Sequence, residues 1–314
     1  MSAVTVALVG AADIAKELAK KGTASDITMF NLVHDEHALT LVEPTQFPEK
    51  VFPLLTALSM ADRVLLVLTE LTRPVAETIA TLELVERPTT VVVGPAVGAA
   101  EVDRALKGGR LASAPRMPLD LPRMRELLDG WSGDIREGPV RVTLDHAFPV
   151  KGVGAVALGV VRRGTLRAHD HLRLFPTPKI VEVRSIQVHD IDRKDARPGE
   201  RVGAALKDID ADELSRGQIL APDGSLEVAP AISLGPLDRC RYYRGDAAAG
   251  AQLHLSLDLQ LVPVELEEIG PSSVRVRADR PVAFESGEVG YLLDLSVPSG
   301  PRLFGRATVT GASV

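Results

Sequence analysis

The texture of the chain changes once, near Trp131, and that change limits the possible folds more than any single motif does. Before it, short apolar runs alternate with amphipathic segments. Strands are expected at Val4–Val9, Asp26–Val33, Leu39–Glu43, Val64–Thr69, Thr89–Gly94 and Arg110–Ser113. Helical patterns fill Ile14–Lys21, Pro48–Ala61, Pro74–Val85, Gly98–Lys107 and Leu119–Leu128. Pro48 and Pro74 sit at first helical positions and Gly22 at a C-cap. Strands alternating with helices predict a largely parallel sheet with helices on both faces. The second and third strands are joined only by Asp35-Glu36-His37-Ala38, too short for a crossover, so that pair must be antiparallel.

Beyond Ser132-Gly133-Asp134 and Glu137-Gly138-Pro139, which read as a linker, no segment carries a helical period. Short alternating strands are expected at Arg141–Asp145, Val153–Val161, His171–Leu174, Lys179–Gln187 and Arg201–Leu206. Ala221-Pro222-Asp223-Gly224-Ser225 separates a third block of the same kind. The expectation is an α/β domain over 1–136 and two all-β barrels over 137–225 and 226–314.

Composition narrows the class. The 314 residues carry 36 Lys plus Arg and 42 Asp plus Glu, a net charge of −6, so no overall basic field points to DNA. By block the balance is −4 over 1–136, +1 over 137–225 and −3 over 226–314. The middle block is the place for phosphate, with cations at Arg162, Arg163, Arg193, Lys194 and Arg197. One cysteine, Cys240, excludes an internal disulfide framework and any CxxC site. Apolar runs such as Val64–Leu68 fall far short of the ~20 residues of a membrane span. The N-terminus lacks the leading positive charge of a signal peptide. A cytoplasmic protein is expected, with no membrane partner.

The first strand runs into a helix through Gly10-Ala11-Ala12-Asp13-Ile14-Ala15-Lys16-Glu17. A phosphate-binding loop reads G-x-x-x-x-G-K-[ST] in that context. Gly10 and Lys16 fit it, but Ala15 stands for the second glycine and Glu17 for the magnesium-binding hydroxyl. Taken singly, the match equally describes a helix start with a surface lysine.

Further positions add weight. Leu58-Ser59-Met60-Ala61-Asp62-Arg63-Val64-Leu65-Leu66-Val67 comes after Leu41-Val42-Glu43-Pro44-Thr45-Gln46-Phe47-Pro48-Glu49-Lys50, and Ser113-Ala114 comes later. In the middle block, Asp145-x-x-Phe148 leads into Lys151-Gly152-x-Gly154-x-Val156-x-x-Gly159-x-Val161-x-x-Gly164. Pro198-Gly199-Glu200-Arg201-Val202-Gly203 and Leu214-Ser215-Arg216-Gly217 complete the pattern. The chain resembles the translation elongation GTPases of the EF-Tu type, most closely their selenocysteine-specific branch (SelB). The likeness is strong over 137–225, good over 1–130 and weak over 226–314. It implies a Ras-like GTPase-type domain followed by two EF-Tu-type barrels. By motif position, Gly10, Asp13, Lys16, Glu17, Glu43, Ser113 and Ala114 would line a nucleotide site.

That site is degenerate. A carboxylate at Glu17 beside a β-phosphate would repel by roughly 3 kcal/mol at ~5 Å and an effective dielectric of ~20. It could instead ligate the metal. Glu43 for Asp is mild. Gln46 replaces the γ-phosphate-sensing glycine, and Phe47 replaces the histidine that positions water, which a phenyl ring cannot do. Thr23 and Thr28 are the candidates for the γ-phosphate-sensing threonine. Gly94-Pro95-Ala96-Val97 replaces the base-reading N-K-x-D motif. The resemblance therefore implies a paralogue without catalytic residues, metal or bound cofactor, acting on tRNA, ribosome or another translation factor. The alternative is a divergent factor still driven by GTP and Mg²⁺.

The family's second domain holds the aminoacyl end of tRNA; by position Arg184, His189 and Arg201 could line such a pocket here. RNA contacts would run through loops near Arg162-Arg163 and Arg193–Arg197, removable by charge reversal with the fold intact. Ending at Val314, the chain has no room for the fourth domain of the selenocysteine branch, so selenocysteine delivery is not expected. His34 and His37 flank a hairpin turn, while His169 and His171 read as surface residues. Cys240 reads as a half-buried strand residue and Trp131 as a domain-interface anchor.

Overall fold

The computed structural model describes residues 2–11, 13–34, 37–133, 136–270 and 273–313. Asp35 and Glu36 of the expected hairpin turn, and Asp134 of the expected linker, lie outside them. By compactness the chain forms two units: Met1–Gly133 with Arg239–Gly245 and Ser296–Phe304, and Asp134–Asp238 with Asp246–Leu295 and Gly305–Val314.

In the first unit β1 (Ser2–Val9) leads to α1 (Ala15–Leu18), β2 (Lys20–Ala24), β3 (Thr28–His34) and β4 (His37–Glu43). Then come α2 (Phe52–Met60), β5 (Arg63–Leu68), α3 (Arg73–Val85), β6 (Thr89–Val93), α4 (Ala99–Leu106), β7 (Arg116–Pro118) and α5 (Leu121–Asp129). The seven strands order as β2-β3-β4-β1-β5-β6-β7. The pairs β1–β4, β1–β5, β5–β6 and β6–β7 are parallel, and β3–β4 is antiparallel as its short connection required. In β5 the run Val64-Leu65-Leu66-Val67-Leu68 is apolar and buried because helices cover both faces of the sheet. Leu8, Leu41 and Leu65 are fully buried, worth ~1.5–3 kcal/mol each.

Several local expectations fail here. The helix expected over Ile14–Lys21 stops at Leu18, because Lys20 and Lys21 pair with Asn31 and Phe30 as an added edge strand. Gly22 is therefore a strand residue and caps nothing. Pro48 precedes α2 without starting it; Phe52 is the first helical residue and Pro53 the second. The strand expected at Arg110–Ser113 is a 3-10 turn whose backbone N–H groups at Arg110 and Leu111 donate to Glu83, and the edge strand comes three residues after it. Trp131 packs against the core of this unit, with the Arg63 guanidinium 5.3 Å from its ring.

The second unit is β apart from a 3-10 turn at Ala211–Glu213. Its first strands are β8 (Arg141–Val150), β9 (Gly154–Arg163), β10 (Leu166–Arg167), β11 (His171–Phe175), β12 (Ile180–Val188), β13 (Ile191–Arg193), β14 (Asp195–Ala196), β15 (Arg201–Lys207) and β16 (Ile219–Ala221). β10 and β14 pair with each other as a separate two-stranded sheet, and the others make the first barrel. The sheet runs β11-β16-β8-β9-β15-β12-β13, and the β11–β12 pairing closes it. Val142, Leu144, Val161, Val183, Ile186 and Leu206 are among the residues that fill it. The second barrel, β17 (Glu227–Arg239), β18 (Gln252–Leu257), β19 (Gln260–Ile269), β20 (Val274–Phe284), β21 (Val289–Leu293) and β22 (Leu303–Ala312), closes as β17-β20-β19-β18-β21-β22. No described helix is long and apolar enough to cross a membrane.

Candidate functional site

The loop from β1 to α1 keeps its glycine for a backbone reason. Gly10 sits at φ +99°, and a Cβ there would lie 2.3 Å from the carbonyl oxygen of Val67 at the end of β5. Only glycine fits that approach. Asp13 also turns through the left-handed region, at φ +67°.

The helix after this loop is a single turn. α1 has four residues, and its first amide, Ala15 N–H, donates to Glu43 Oε1 at 2.9 Å. The parallel pairing of β1 with β4 places Glu43 beside that turn. Burial pushes the Glu43 carboxyl above its usual range, the Ala15 amide pulls it down, and Asp13 adds to the rise. In a phosphate-binding loop such an amide, at the start of a longer helix, faces the ligand. Here an internal carboxylate holds it. Lys16 pairs with Asp13 at 3.3 Å, on the surface.

The remaining expected positions scatter. Glu17 is exposed on α1. Thr28 is buried, with its hydroxyl 2.6 Å from that of Thr45, while Thr23 lies on the edge strand β2. Ser113 donates to the Arg110 carbonyl at 3.2 Å, and Ala114 comes next as the cap of the 3-10 turn. Gly94–Val97 forms a turn closed by Val97 N–H to the Gly94 carbonyl.

The first barrel holds a denser polar cluster. Asp145, on β8, is 1% exposed. Its Oδ1 lies 2.6 Å from His146 Nδ1 and accepts Arg201 Nη2 at 2.7 Å, while Oδ2 accepts Arg201 Nε at 3.1 Å. Arg216 Nε donates to the Asp145 carbonyl at 3.2 Å. β9 runs between β8 and β15, so the Asp145–Arg201 bridge spans the strand between them. Burial alone would raise the Asp145 pKa; Arg201 and the His146 bond outweigh it and hold the carboxyl below its ordinary value. The side chains of His146 and Arg201 stay 18% and 11% exposed. Arg201 can offer a hydrogen-bond donor to an anionic or carbonyl group.

Only part of the expected pocket assembles. Arg201 is in this cluster. His189 comes directly after β12 at φ +51°, where burial lowers its pKa against the opposing pull of Glu200 and Asp190. Arg184 lies five residues earlier on the same strand, roughly 17 Å along at ~3.3 Å per residue, and donates to the Val153 carbonyl. It does not join the others. Asp145 and His146 are not recognisable as a site from sequence: there they only end an apolar strand, and nothing shows that Arg201 comes back to them.

The cation cluster also divides. Arg162 and Arg163 are β9 residues and not loop residues. Arg162 Nη2 bonds Asp258 at 2.7 Å, and Arg163 bonds Glu285 at 2.7 and 3.0 Å. Arg141, 6% exposed, joins them through Glu288, Asp258 and Glu285, and Thr143 bonds Asp258. Charge reversal at Arg162 and Arg163 would therefore not spare the fold. Lys194 and Arg197 are exposed, Arg193 half-buried, and none has an ion-pair partner among the described residues. His169 and His171 are exposed as expected, with His169 3.0 Å from Glu182. Cys240 is buried just past β17. No group of three or more metal-ligating side chains occurs among the described residues.

Against known proteins, residues 154–221 match the family model for elongation factor Tu domain 2. The chain is 27% identical over 288 residues to the selenocysteine-specific elongation factor of Methanocaldococcus jannaschii, covering 83% of this chain and 61% of that one. The chain belongs to the EF-Tu/SelB-type elongation factor family. It thus spans less than two thirds of that relative. An uncharacterized protein of the same organism is 34% identical over 297 residues, covering 94% of this chain and 96% of the other. The fold agrees with the crystal structure of translation elongation factor SelB from Methanococcus maripaludis in complex with the GTP analogue GppNHp: TM-score 0.83, 19% identity, 99% of this chain and 80% of that one. The architecture of this family member is therefore a nucleotide-binding-type sheet followed by two barrels.

Proposed function

We propose that this family member works without a nucleotide switch, as a cytoplasmic binding module of the translation apparatus that holds the aminoacyl end of a tRNA. The observation behind the first half is the Glu43–Ala15 bond. The helix-start amide is satisfied internally, α1 is one turn long, and Lys16 is paired with Asp13. With Asp13 and Glu17 against Lys16, the loop repels a polyphosphate. Neither GTP nor Mg²⁺ is then required.

Asp145, His146 and Arg201 support the second half. The buried carboxylate fixes the His146 ring and the Arg201 guanidinium in place before any ligand arrives, which lowers the ordering cost of binding. Arg193, Lys194 and Arg197 offer the backbone phosphates a weak, salt-sensitive contact. The test is filter binding of aminoacylated and deacylated tRNA at low salt with no nucleotide present. Aminoacyl-tRNA should bind more tightly, and Arg201→Ala should abolish that preference. Equal binding of both tRNA forms would remove the pocket. Absence of tRNA binding at low salt would replace tRNA by a protein partner.

A further inference from the structure

Loop 44–50, which comes after β4, is held by a residue from far along the chain. Arg302 lies in Ser296–Phe304, which belongs to the first unit. Its backbone N–H and its Nε each donate to Glu77 Oε1 on α3 at 2.9 Å, and Nη2 donates to Glu77 Oε2 at 2.7 Å. Nη2 also donates to the Pro48 carbonyl at 2.9 Å, and Nη1 approaches that of Glu49 at 3.5 Å. The guanidinium lies 5.9 Å from the centre of the Phe47 ring.

The geometry suits arginine alone. A guanidinium spreads five donors in a rigid plane, so one edge can take a carboxylate while the others reach two carbonyls. Lysine offers a single donor point. The Arg302 and Glu77 side chains are 20% and 12% exposed, so the pair is partly shielded from water. Most of the loop has little burial of its own: Thr45, Gln46, Pro48, Glu49 and Lys50 are exposed. Its other bonds include Phe47 N–H to the Pro44 carbonyl, Lys50 N–H to the Gln46 carbonyl, Gln46 N–H to the Asp26 carbonyl, and the Thr45 hydroxyl 2.6 Å from that of Thr28.

In nucleotide-driven switch proteins a comparable segment is ordered by the γ-phosphate and released when it leaves. We propose that Arg302 takes over that work here: an internal cation, tied to Glu77, holds loop 44–50 in one conformation permanently and without ligand. The inference rests on the nucleotide-free reading above and adds how the fold manages without the nucleotide. Arg302 is a positioning residue for the loop.

Hydrogen exchange on the full chain, read by mass spectrometry, tests it. Amides of 44–52 should exchange slowly in the parent protein and about tenfold faster or more in Arg302→Ala and in Glu77→Gln. Peptides from Arg63–Leu68 and Thr89–Val93 should stay protected, which shows that the variants are folded. The double variant Glu77→Arg with Arg302→Glu can form an ion pair but cannot donate from position 302 to the Pro48 carbonyl, so its loop should still exchange fast. Unchanged loop exchange in Arg302→Ala, or slow exchange in the swapped variant, would overturn the proposal. Adding GTP or GDP with Mg²⁺ to the parent separates the two claims. Protection of 10–17 by nucleotide would overturn the nucleotide-free reading, whereas the Arg302 comparison is made with none present.

Discussion

The side chain of Glu43 closes the first turn of α1 by accepting the amide of Ala15 at 2.9 Å. Burial raises the Glu43 pKa, so the folded state favours the neutral acid. Stability from this group is then greatest below the unfolded value of 4.5 and declines as pH rises toward the folded one. Glu43→Gln keeps an acceptor for Ala15 and removes the titration. At pH 7 it should unfold in urea within ~0.5 kcal/mol of the parent, or slightly later, and lose this decline. Glu43→Ala should be the less stable of the two.

Gly10→Ala tests why the glycine persists. The added Cβ would meet the Val67 carbonyl at 2.3 Å, in a backbone region that alanine avoids. A loss of ~1–3 kcal/mol is expected from urea denaturation, with no ligand involved. Lys16→Ala removes only an exposed pair with Asp13 and should fall within ~0.5 kcal/mol of the parent.

Acid should act through two buried carboxylates. Asp145 is held below its ordinary 3.8 by Arg201 and His146 in spite of burial, and Asp258 by Arg162 and Arg141 likewise. A depressed folded pKa gives stability that is present above the unfolded value and lost as pH falls through the folded one. Urea midpoints should therefore drop steeply below about pH 4. Asp145→Asn should flatten that drop and lower stability at pH 7 by ~3–5 kcal/mol, because Arg201 keeps a desolvated charge without its partner.

How much of the molecule is legible in its sequence depends on whether the signal is local. The β3–β4 hairpin comes from a connection too short to cross over, and the helix at Pro74 from its terminal proline. The short α1 is not legible, since Lys20 and Lys21 leave the helix only because β3 offers a partner strand. The +1 charge of the middle block suggests Arg162 and Arg163 as phosphate contacts. Their neutralising partners, Asp258 and Glu285, lie 96 and 122 residues away and belong to the other barrel. The Asp145–Arg201 bridge, 56 residues long, is hidden for the same reason.

The Arg141 network should behave as a unit. Asp258 accepts from Arg162 and Thr143 and faces Arg141 at 3.7 Å. Asp258→Asn leaves two buried guanidinium groups short of charge and should cost ~3–5 kcal/mol. Combining it with Arg162→Met should recover part of that loss, measured as a double-mutant cycle in urea.

The central claim is that the loop from β1 to α1 no longer takes a nucleotide. Isothermal titration of the full chain with GTP, GDP and ATP, each with and without Mg²⁺, measures it directly. No binding heat should appear up to millimolar nucleotide, and Glu43→Gln should leave that result unchanged. Micromolar binding of GTP or GDP to the parent protein would contradict the account.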